Sequence, residues 1–218
     1  MSSAASRLQS IHDDIASAAK IAQRDAADIT LIAVSKTREP SEIEPLIEAG
    51  QRDFGESRVQ EALTKWPPLL DRHPGITLHC VGRLQSNKAA EAVSLFEIIH
   101  SLDRVSLLTA LAAESQKQGR RPSVYVQVNI GEEDQKGGCP IADVAELVAT
   151  VRDSPLPLAG LMAIPPLGVE PAPFFTLLAE ISRRHGVSGL SMGMSSDFRS
   201  AVMLGATAIR VGTALFED

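Results

Sequence analysis

Apolar runs of strand length alternate along this chain with amphipathic helical patterns, and this alternation restricts its fold more than any other feature. The strand candidates span residues 29–36, 52–57, 76–82, 96–102, 123–130, 158–165, 189–195 and 206–216. Helical patterns separate the strand candidates, and four of them end at a glycine suited to a helix C-terminus: Gly50, Gly119, Gly186 and Gly205. Eight such repeats predict a closed parallel (β/α)₈ barrel of the TIM type.

An open, doubly wound sheet is the alternative fold. No G-x-G-x-x-G follows the first strand candidate, and polar residues stand at the ends of nearly all eight strands rather than at one crevice. The barrel is therefore favoured. Leu8, Ile11 and Ile15 are spaced by threes and fours, which predicts an additional amphipathic helix before the first strand. Without a linker-like stretch, residues 1–218 are expected to form one domain.

Composition and charge argue against several functions. The formal net charge is −6 and no run of Lys or Arg is longer than a pair, whereas a nucleic-acid partner requires a clustered basic face. No segment approaches the roughly 20 apolar residues of a membrane span. The N-terminus also lacks the basic start and apolar stretch of a signal peptide. We therefore expect a cytoplasmic protein without nucleic-acid or membrane partners.

The two cysteines, Cys80 and Cys139, are too few and too far apart for a disulfide framework or a zinc site. Cys80 lies in an apolar run and is interpreted as a small core residue. No metal site is predicted.

Lys36 is the first candidate for chemistry. Reactive residues in such barrels lie at the carboxyl ends of the strands, and Lys36 ends the first strand candidate on the same face as Ile32 and Val34. If that face lines the barrel, partial withdrawal from water would leave a reactive amine able to form a Schiff base. The alternative is an ordinary exposed lysine in a strand-to-helix turn.

The last two strand candidates predict a phosphate site. Ser195 and Ser196 end the seventh strand, and either could cap the helix that follows, leaving free amides for an anion. The final strand carries Gly212 and Thr213, and the loops after strands seven and eight bind phosphate in many barrels. Three hydroxyls and the bare backbone of Gly212 suit a phosphate group. A plain capped helix is the alternative.

Arg210 shares its strand face with the small residues Ala206 and Ala208, so it can point into a cavity. A buried guanidinium needs an acceptor, and a pyridine nitrogen could provide one. The alternative is a pairing with a carboxylate such as Glu56 or Asp103.

Together these residues resemble the pyridoxal phosphate homeostasis protein family, whose barrel is similar to the N-terminal domain of alanine racemases. The matching blocks occur in order: LIAVSKTREP, DFGESRVQEAL, HCVGRLQSNK, IHSLDR, VQVNIGEEDQKGG, GLMAIP and LSMGMSSDFRSAVMLGATAIRVGTALF. The resemblance implies pyridoxal 5′-phosphate (PLP) as the cofactor and a Schiff base on Lys36. It also implies that Ser195, Ser196, Gly212 and Thr213 hold the phosphate and that Arg210 faces the ring nitrogen.

Two features depart from the family pattern. Ser57-Arg58 stands where the family usually has Asn-Tyr after FGE, and the chain ends at Phe216-Glu217-Asp218 without the usual small residues. The first change puts in doubt an amide or phenol contact at that point. Neither change alters a residue predicted to hold the cofactor.

The resemblance implies a non-catalytic role in PLP homeostasis, with PLP-requiring apo-enzymes as candidate recipients. A PLP-dependent amino-acid racemase is the alternative, and it needs an acid/base group on each face of the substrate's α-carbon. In alanine racemases the second group is a tyrosine of a separate C-terminal domain, acting across a dimer, and we do not expect residues 1–218 to include such a domain. Its only tyrosine, Tyr125, lies in an apolar strand, where a core role is expected. We expect a monomer.

A third alternative is a barrel enzyme acting on a phosphorylated metabolite, with Lys36 as an aldolase-type amine and no bound chromophore. His79 and His100 are expected to be hydrogen-bonded core or mouth residues. Lys88 and Lys136 lie in loops predicted near the mouth. Lys88 could dock a recipient and Lys136 could receive the cofactor transiently, or both could be solvated loop charges.

Overall fold

Eight short parallel strands close into a barrel in the computed structural model, which describes residues 3–217. The strands are β1 (Thr30–Val34), β2 (Asp53–Glu56), β3 (Thr77–Cys80), β4 (Ile98–Leu102), β5 (Ser123–Gln127), β6 (Leu158–Met162), β7 (Leu190–Ser191) and β8 (Ala208–Val211). Each strand pairs with its neighbours in chain order, and β8 closes the barrel against β1. The predicted (β/α)₈ barrel is therefore confirmed. Met1, Ser2 and Asp218, which the predicted domain includes, lie outside the described residues.

Ten α-helices surround the described barrel. They are α1 (Ala4–Ile21), α2 (Pro40–Glu48), α3 (Val59–Lys65), α4 (Pro67–Arg72), α5 (Ala89–Leu95), α6 (Val105–Gln118), α7 (Val144–Arg152), α8 (Ala172–Arg184), α9 (Phe198–Met203) and α10 (Thr213–Phe216). The four glycines predicted at helix C-termini all have positive φ, between 60° and 106°, a backbone conformation that glycine adopts at little cost. The helix boundaries that they predict are confirmed.

The additional N-terminal helix is confirmed as α1. Ser3 caps it, since its Oγ accepts a hydrogen bond from the Ser6 amide (3.1 Å). Leu8, Ile11 and Ile15 form its buried face, and the helix packs against α9 and α10. Because α9 and α10 follow β7 and β8, α1 supports the same part of the barrel as the predicted phosphate site.

Most strands end before their predicted limits, including β7, which stops at Ser191 rather than at residue 195, and one α-helix lies where no element was predicted. The last strand candidate, 206–216, is too long, because β8 ends at Val211 and Thr213–Phe216 forms α10. Gly212 breaks the strand, and its carbonyl accepts from the amides of Leu215 (2.9 Å) and Phe216 (3.3 Å). The unpredicted helix is α4, which begins at Pro67, a residue tolerated in a first helical turn.

Strand alternation gives the barrel an apolar outer layer and an unusually polar interior. Outward residues such as Leu31, Phe54 and Ile99 join the core between strands and helices. The buried polar residues include His79, His100, Ser191 and Arg210, which hydrogen-bond to one another inside the barrel. Interiors of such barrels are usually filled by branched apolar side chains, so this polar interior calls for an explanation.

Candidate functional site

A cavity of about 870 Å³ opens at the mouth formed by the carboxyl ends of the strands. All six residues predicted for the site line it: Lys36, Ser195, Ser196, Arg210, Gly212 and Thr213. They come from β8, from the turns that follow β1 and β7, and from the junction of β8 with α10. The structure therefore brings together residues that the sequence separates by more than half of the chain.

Lys36 lies in a turn two residues beyond the end of β1, which stops at Val34 rather than at Lys36 as predicted. Thr37 has a left-handed backbone (φ 63°), and its amide donates to Glu61 Oε1 (2.7 Å). Because of this turn Lys36 is exposed, and the predicted withdrawal from water is wrong. No residue within 3–217 forms an ion pair or hydrogen bond with its amine, which is free to react with a molecule in the cavity.

A buried ion pair lies directly beneath this turn. Lys65 Nζ is 2.8 Å from Glu56 Oε1, and it also donates to the carbonyl oxygens of Ser35 (2.9 Å) and Arg38 (3.2 Å). These two carbonyls flank Lys36. The ammonium group of Lys65 thus holds both ends of the turn against α3.

This support for the turn was not predicted from the sequence, where Glu56 was expected only as an alternative partner for Arg210. In the structure Glu56 is fully buried and accepts from Ser35 Oγ (2.7 Å) and Trp66 Nε1 (2.9 Å). The available signal was a carboxylate inside a strand, because a buried charge must find a partner. Lys65, the last residue of the following helix, was one of several nearby cations that could have been that partner.

The phosphate end of the predicted site is built from two adjacent loops. The Gly212 amide donates to Ser195 Oγ (3.2 Å), which joins the loop after β7 to the loop after β8. Within the described chain, the backbone amides of Ser195, Ser196, Thr213 and Ala214 donate to no protein acceptor. These four amides and the neighbouring hydroxyls leave several donors available for an anion.

The predicted capping role of Ser195 or Ser196 is wrong. The helix α9 begins at Phe198, and Asp197 occupies the position before it. The Asp197 carboxylate accepts from the Met194 amide (2.6 Å) and so closes the turn. Since Asp197 fills this place, Ser195 can reach across to the neighbouring loop.

Gly212 allows the loop after β8 to pack closely against β1. A Cβ at this position would lie 3.3 Å from the Val34 carbonyl oxygen and 3.6 Å from Val34 Cβ, a contact tighter than most side chains make. The glycine therefore keeps Thr213 close to the end of the strand that leads to Lys36.

Arg210 is buried, at 5 % exposure, and its guanidinium reaches the floor of the cavity. Nη2 donates to the Ala163 carbonyl (3.0 Å) and Nη1 donates to Ser191 Oγ. Burial lowers the pKa of Arg210 to about 10, although the nearby charge of Asp197 opposes that shift. The guanidinium still remains charged at neutral pH.

The alternative, in which Arg210 pairs with Glu56 or Asp103, is wrong. Glu56 pairs with Lys65, and Asp103 pairs with Arg104. No carboxylate within residues 3–217 forms an ion pair with Arg210.

His79 and His100 are buried and hydrogen-bonded inside the barrel, as the sequence predicts. Tyr125 is also buried and stacks on His100, with ring centroids 4.4 Å apart and an interplanar angle of 15°, which confirms its expected core position. Burial, together with the nearby His79 and Arg210, holds the pKa of His100 well below its usual value of 6.5. His100 is therefore neutral in the folded protein.

The two additional lysines lie outside the cavity lining. Lys136 Nζ pairs with Glu133 (2.6 Å) and donates to the Pro165 carbonyl (3.2 Å). Lys88 pairs with Glu91 (3.1 Å) and lines a separate groove of about 770 Å³. Both amines are thus engaged with protein groups, unlike the amine of Lys36.

Ser57 connects this groove with the cavity, because it lines both. Arg58, Arg83 and Arg104 line the groove. A Cβ at Gly82 would lie 2.1 Å from the Ser57 carbonyl oxygen, so a glycine at that position allows the two loops to meet. The Ser57-Arg58 departure therefore lies on the rim shared by the groove and the cavity.

Residues 3–217 contain no group of three or more His, Cys, Asp or Glu side chains placed to hold a metal ion. No helix in the described chain is long and apolar enough to cross a membrane. Cys80 and Cys139 are free, buried thiols, and the predicted core role of Cys80 is confirmed.

Comparisons with known proteins agree with this architecture. The family model described as "Alanine racemase, N-terminal domain" matches residues 7–218. The pyridoxal phosphate homeostasis protein of Pseudomonas aeruginosa is 39% identical over 223 residues, covering 99% of this chain and 96% of that protein. Its counterpart in Escherichia coli K12 is 36% identical over 226 residues, covering 99% and 97%.

A solved structure with the same fold is that of PipY from Synechococcus elongatus PCC7942 with PLP bound. It superposes with a TM-score of 0.80 at 38% identity, covering 93% of this chain and 99% of that one. Because identity at this level extends over nearly the full length of each relative, the chain belongs to the pyridoxal phosphate homeostasis protein family.

Proposed function

We propose that this protein binds PLP at the carboxyl-terminal mouth of its barrel, holds it as a Schiff base on Lys36, and serves PLP homeostasis without transforming a substrate. One observation carries the proposal. A free amine, a set of unpaired backbone amides and a buried guanidinium surround one cavity. These groups match the aldehyde, the phosphate and the ring nitrogen of a single PLP molecule.

The hydrogen-bond donors at one end of the cavity suit the phosphate group of PLP. A phosphate dianion needs several hydrogen-bond donors. Backbone amides and hydroxyls can supply them where no Cβ prevents the phosphate from approaching the backbone. The unpaired amides of Ser195, Ser196, Thr213 and Ala214 are such donors. Gly212 would complete this phosphate site by keeping its two loops together.

Lys36 would supply the covalent anchor. Its amine would condense with the aldehyde of PLP to form an imine, and the aldehyde oxygen would leave as water. The exposed position of Lys36 at the mouth supports reversible loading, because water and PLP can both reach the amine. The contacts of Lys65 with Ser35 and Arg38 would keep the turn in place during this exchange.

Arg210 would face the ring nitrogen and donate a hydrogen bond to it. PLP can serve as an electron sink in enzymes, most effectively when its ring nitrogen is protonated opposite a carboxylate. An arginine that remains charged does not readily protonate that nitrogen. This feature is compatible with storage of PLP, although on its own it would also suit a racemase.

The titratable groups of the cavity favour a carrier over a two-base racemase. Besides Lys36 and Arg210, the lining includes Arg38 and Glu217, which pair with each other. Tyr125 is stacked on His100 inside the barrel and is not part of the lining. A second acid/base group opposite Lys36 would therefore require the Arg38–Glu217 pair to open.

The absorption spectrum of the purified protein with added PLP tests the proposal. We expect a visible band that is absent in Lys36→Ala and present in Lys136→Ala and Lys88→Ala, the two matched controls. Borohydride reduction followed by peptide mapping should place the adduct on Lys36. A protein that stays colourless with PLP would overturn the proposal and favour an enzyme acting on a phosphorylated metabolite. Racemisation of an amino acid by the loaded protein would instead favour the racemase.

We also propose that the protein is a cytoplasmic monomer that gives up PLP to apo-enzymes. The open mouth and the exposed Lys36 support the release of PLP, because they allow the bound molecule to leave. Light scattering on the purified protein gives its mass in solution. Mixing the loaded protein with a PLP-requiring apo-enzyme should restore that enzyme's activity while the visible band is lost, and retention of the band would contradict the carrier role.

A further inference from the structure

A continuous line of hydrogen bonds crosses the barrel interior. Asp53 Oδ1, on the first residue of β2, is 3.0 Å from His79 Nε2, and His79 Nδ1 is 3.0 Å from His100 Nε2. His100 Nδ1 is 2.8 Å from Ser191 Oγ, which accepts from Arg210 Nη1. The line therefore runs from the amino-terminal end of the barrel to the cavity at its carboxyl-terminal mouth.

With a single proton on each imidazole ring, the chemistry of the two ends fixes the direction of every hydrogen bond in this line. A guanidinium has donors only and a carboxylate has acceptors only, so Arg210 donates at one end and Asp53 accepts at the other. With a single ring proton, His79 must then carry it on Nε2 and accept at Nδ1. Neutral His100 must likewise donate from Nε2 and accept at Nδ1.

Ser191 completes the sequence without a conflict. Its hydroxyl oxygen accepts from Arg210 and its proton goes to His100 Nδ1. In each of the four hydrogen bonds the donor lies on the Arg210 side and the acceptor on the Asp53 side. Hydrogen bonds aligned in one direction polarise one another. The burial of His79, His100 and Ser191, all at 2 % exposure or less, keeps water from competing for them.

Arg210 needs this arrangement because its own acceptors are neutral. A buried guanidinium without a carboxylate partner is costly to desolvate, and its two acceptors are the Ala163 carbonyl and the Ser191 hydroxyl. The line connects it to Asp53, whose side chain is 32% exposed at the far end. Each neutral group between them is aligned to favour positive charge at Arg210.

We propose that Asp53, His79, His100 and Ser191 are positioning residues that hold the Arg210 guanidinium at the cavity floor and direct its remaining donors toward the ring nitrogen of the bound molecule. This inference rests on the proposed function for the identity of that molecule. The internal arrangement of the line is a property of the chain alone, so it can be tested without PLP.

The first test is the protonation pattern of the histidines in the PLP-free protein. Long-range ¹H–¹⁵N correlation spectra of protein labelled with ¹⁵N-histidine identify which ring nitrogen carries the proton. The His79 and His100 signals are assigned with His79→Gln and His100→Gln. Both rings should be neutral and protonated on Nε2 at neutral pH. A proton on Nδ1 of either ring, or a charged His100, would overturn the proposed direction of the bonds.

The second test isolates the contact between Arg210 and the ring nitrogen. Affinity is measured for PLP and for its deaza analogue, in which a C–H replaces the ring nitrogen. Wild-type protein should bind PLP at least about tenfold more tightly than the analogue, the effect expected of one hydrogen bond from a charged donor. In Ser191→Ala this preference should fall to nearly one, because Arg210 loses its connection to the line and keeps only the Ala163 carbonyl as an acceptor.

Two variants separate positioning from general damage to the fold. Ser191→Thr retains the hydroxyl and should keep the preference for PLP over the analogue. Ser101→Ala removes the hydroxyl of a buried β4 serine outside the line and should leave that preference unchanged. Damage to the fold would weaken both ligands equally and preserve the ratio. If Ser191→Ala does not fold, the histidine spectra of the wild type decide.

The outcomes distinguish the two proposals. If the wild type binds PLP but does not prefer it over the deaza analogue, the assignment of Arg210 to the ring nitrogen fails and the proposed site must be revised. If the wild type shows the preference and Ser191→Ala retains it, the positioning line is wrong while the proposed function stands.

Discussion

Glu56 Oε1 and Lys65 Nζ lie 2.8 Å apart in a buried ion pair beneath the turn that carries Lys36. Both side chains are almost completely withdrawn from water, at 0% and 7% exposure. A buried pair of this kind contributes little compared with an apolar pair of similar volume, but the loss of one partner leaves an uncompensated charge. The stability of the fold and the position of Lys36 therefore depend on the same ion pair.

We expect Lys65→Met to lower the free energy of unfolding by about 3–5 kcal/mol, because it strands the Glu56 carboxylate. The double variant Glu56→Gln/Lys65→Met should recover part of this loss, since no buried charge remains. The control is Lys117→Met, which breaks an exposed ion pair with Glu114 and should cost about 1 kcal/mol or less. Urea denaturation measures all three. A loss in Lys65→Met no larger than in Lys117→Met would show that the carboxylate finds another partner.

The two cysteine thiols should be unreactive in the folded protein. Burial raises the pKa of both Cys80 and Cys139 to about 12, and only the thiolate reacts with disulfide reagents. At pH 8 we expect negligible labelling of the native protein and two labelled thiols after unfolding in urea. Ser94→Cys, at an exposed position of α5, provides the positive control. Rapid labelling of two thiols in native wild type would indicate local opening of the barrel.

Stability should depend on pH through His100. The folded protein keeps this ring neutral, since its pKa is well below 6.5, whereas the unfolded chain takes up a proton as the pH falls through about 6.5. The unfolded state therefore binds more protons below that pH, and stability falls as the pH decreases, by up to about 1.4 kcal/mol per pH unit. At pH 7.5 and above this contribution is constant.

His100→Gln tests this dependence. It should be less stable than the wild type at pH 7.5, because it interrupts the hydrogen bonds to His79 and Ser191. Below pH 6.5 its stability should fall less steeply than that of the wild type. Urea denaturation at several pH values measures both slopes, and parallel slopes would assign the acid sensitivity to another group.

Much of the architecture could be predicted from the sequence because its signals are local. Strand-length apolar runs, helical spacing and glycines such as Gly119 at helix C-termini are each read within a few residues, and their repetition predicts the barrel. The mouth residues Lys36 and Thr213 followed from the same pattern, since the carboxyl ends of parallel strands meet at one end of a barrel.

The remaining features depend on pairings that local patterns do not encode. His100 and Ser191 are 91 positions apart and meet only because β4 and β7 face each other across the interior. The partner of Glu56 could be any nearby cation until α3 is positioned. The short helix α10 also resembled the end of a strand, because four residues are too few to show helical spacing.

The hydroxyl of Thr213 should contribute to phosphate binding independently of the Schiff base. Thr213→Val keeps the shape of the side chain and removes its donor, so we expect about tenfold weaker binding of PLP, the effect of one hydrogen bond to a charged group. Binding of pyridoxal, which lacks the phosphate, should be unchanged, because the amine of Lys36 and the guanidinium of Arg210 remain. The control is Thr109→Val, an exposed threonine of α6 whose Oγ1 donates to the Val105 carbonyl (3.0 Å). Absorbance titration measures both ligands. Equal weakening of PLP and pyridoxal in Thr213→Val would show that the substitution disturbs the whole mouth, and no weakening of either would remove Thr213 from the phosphate site.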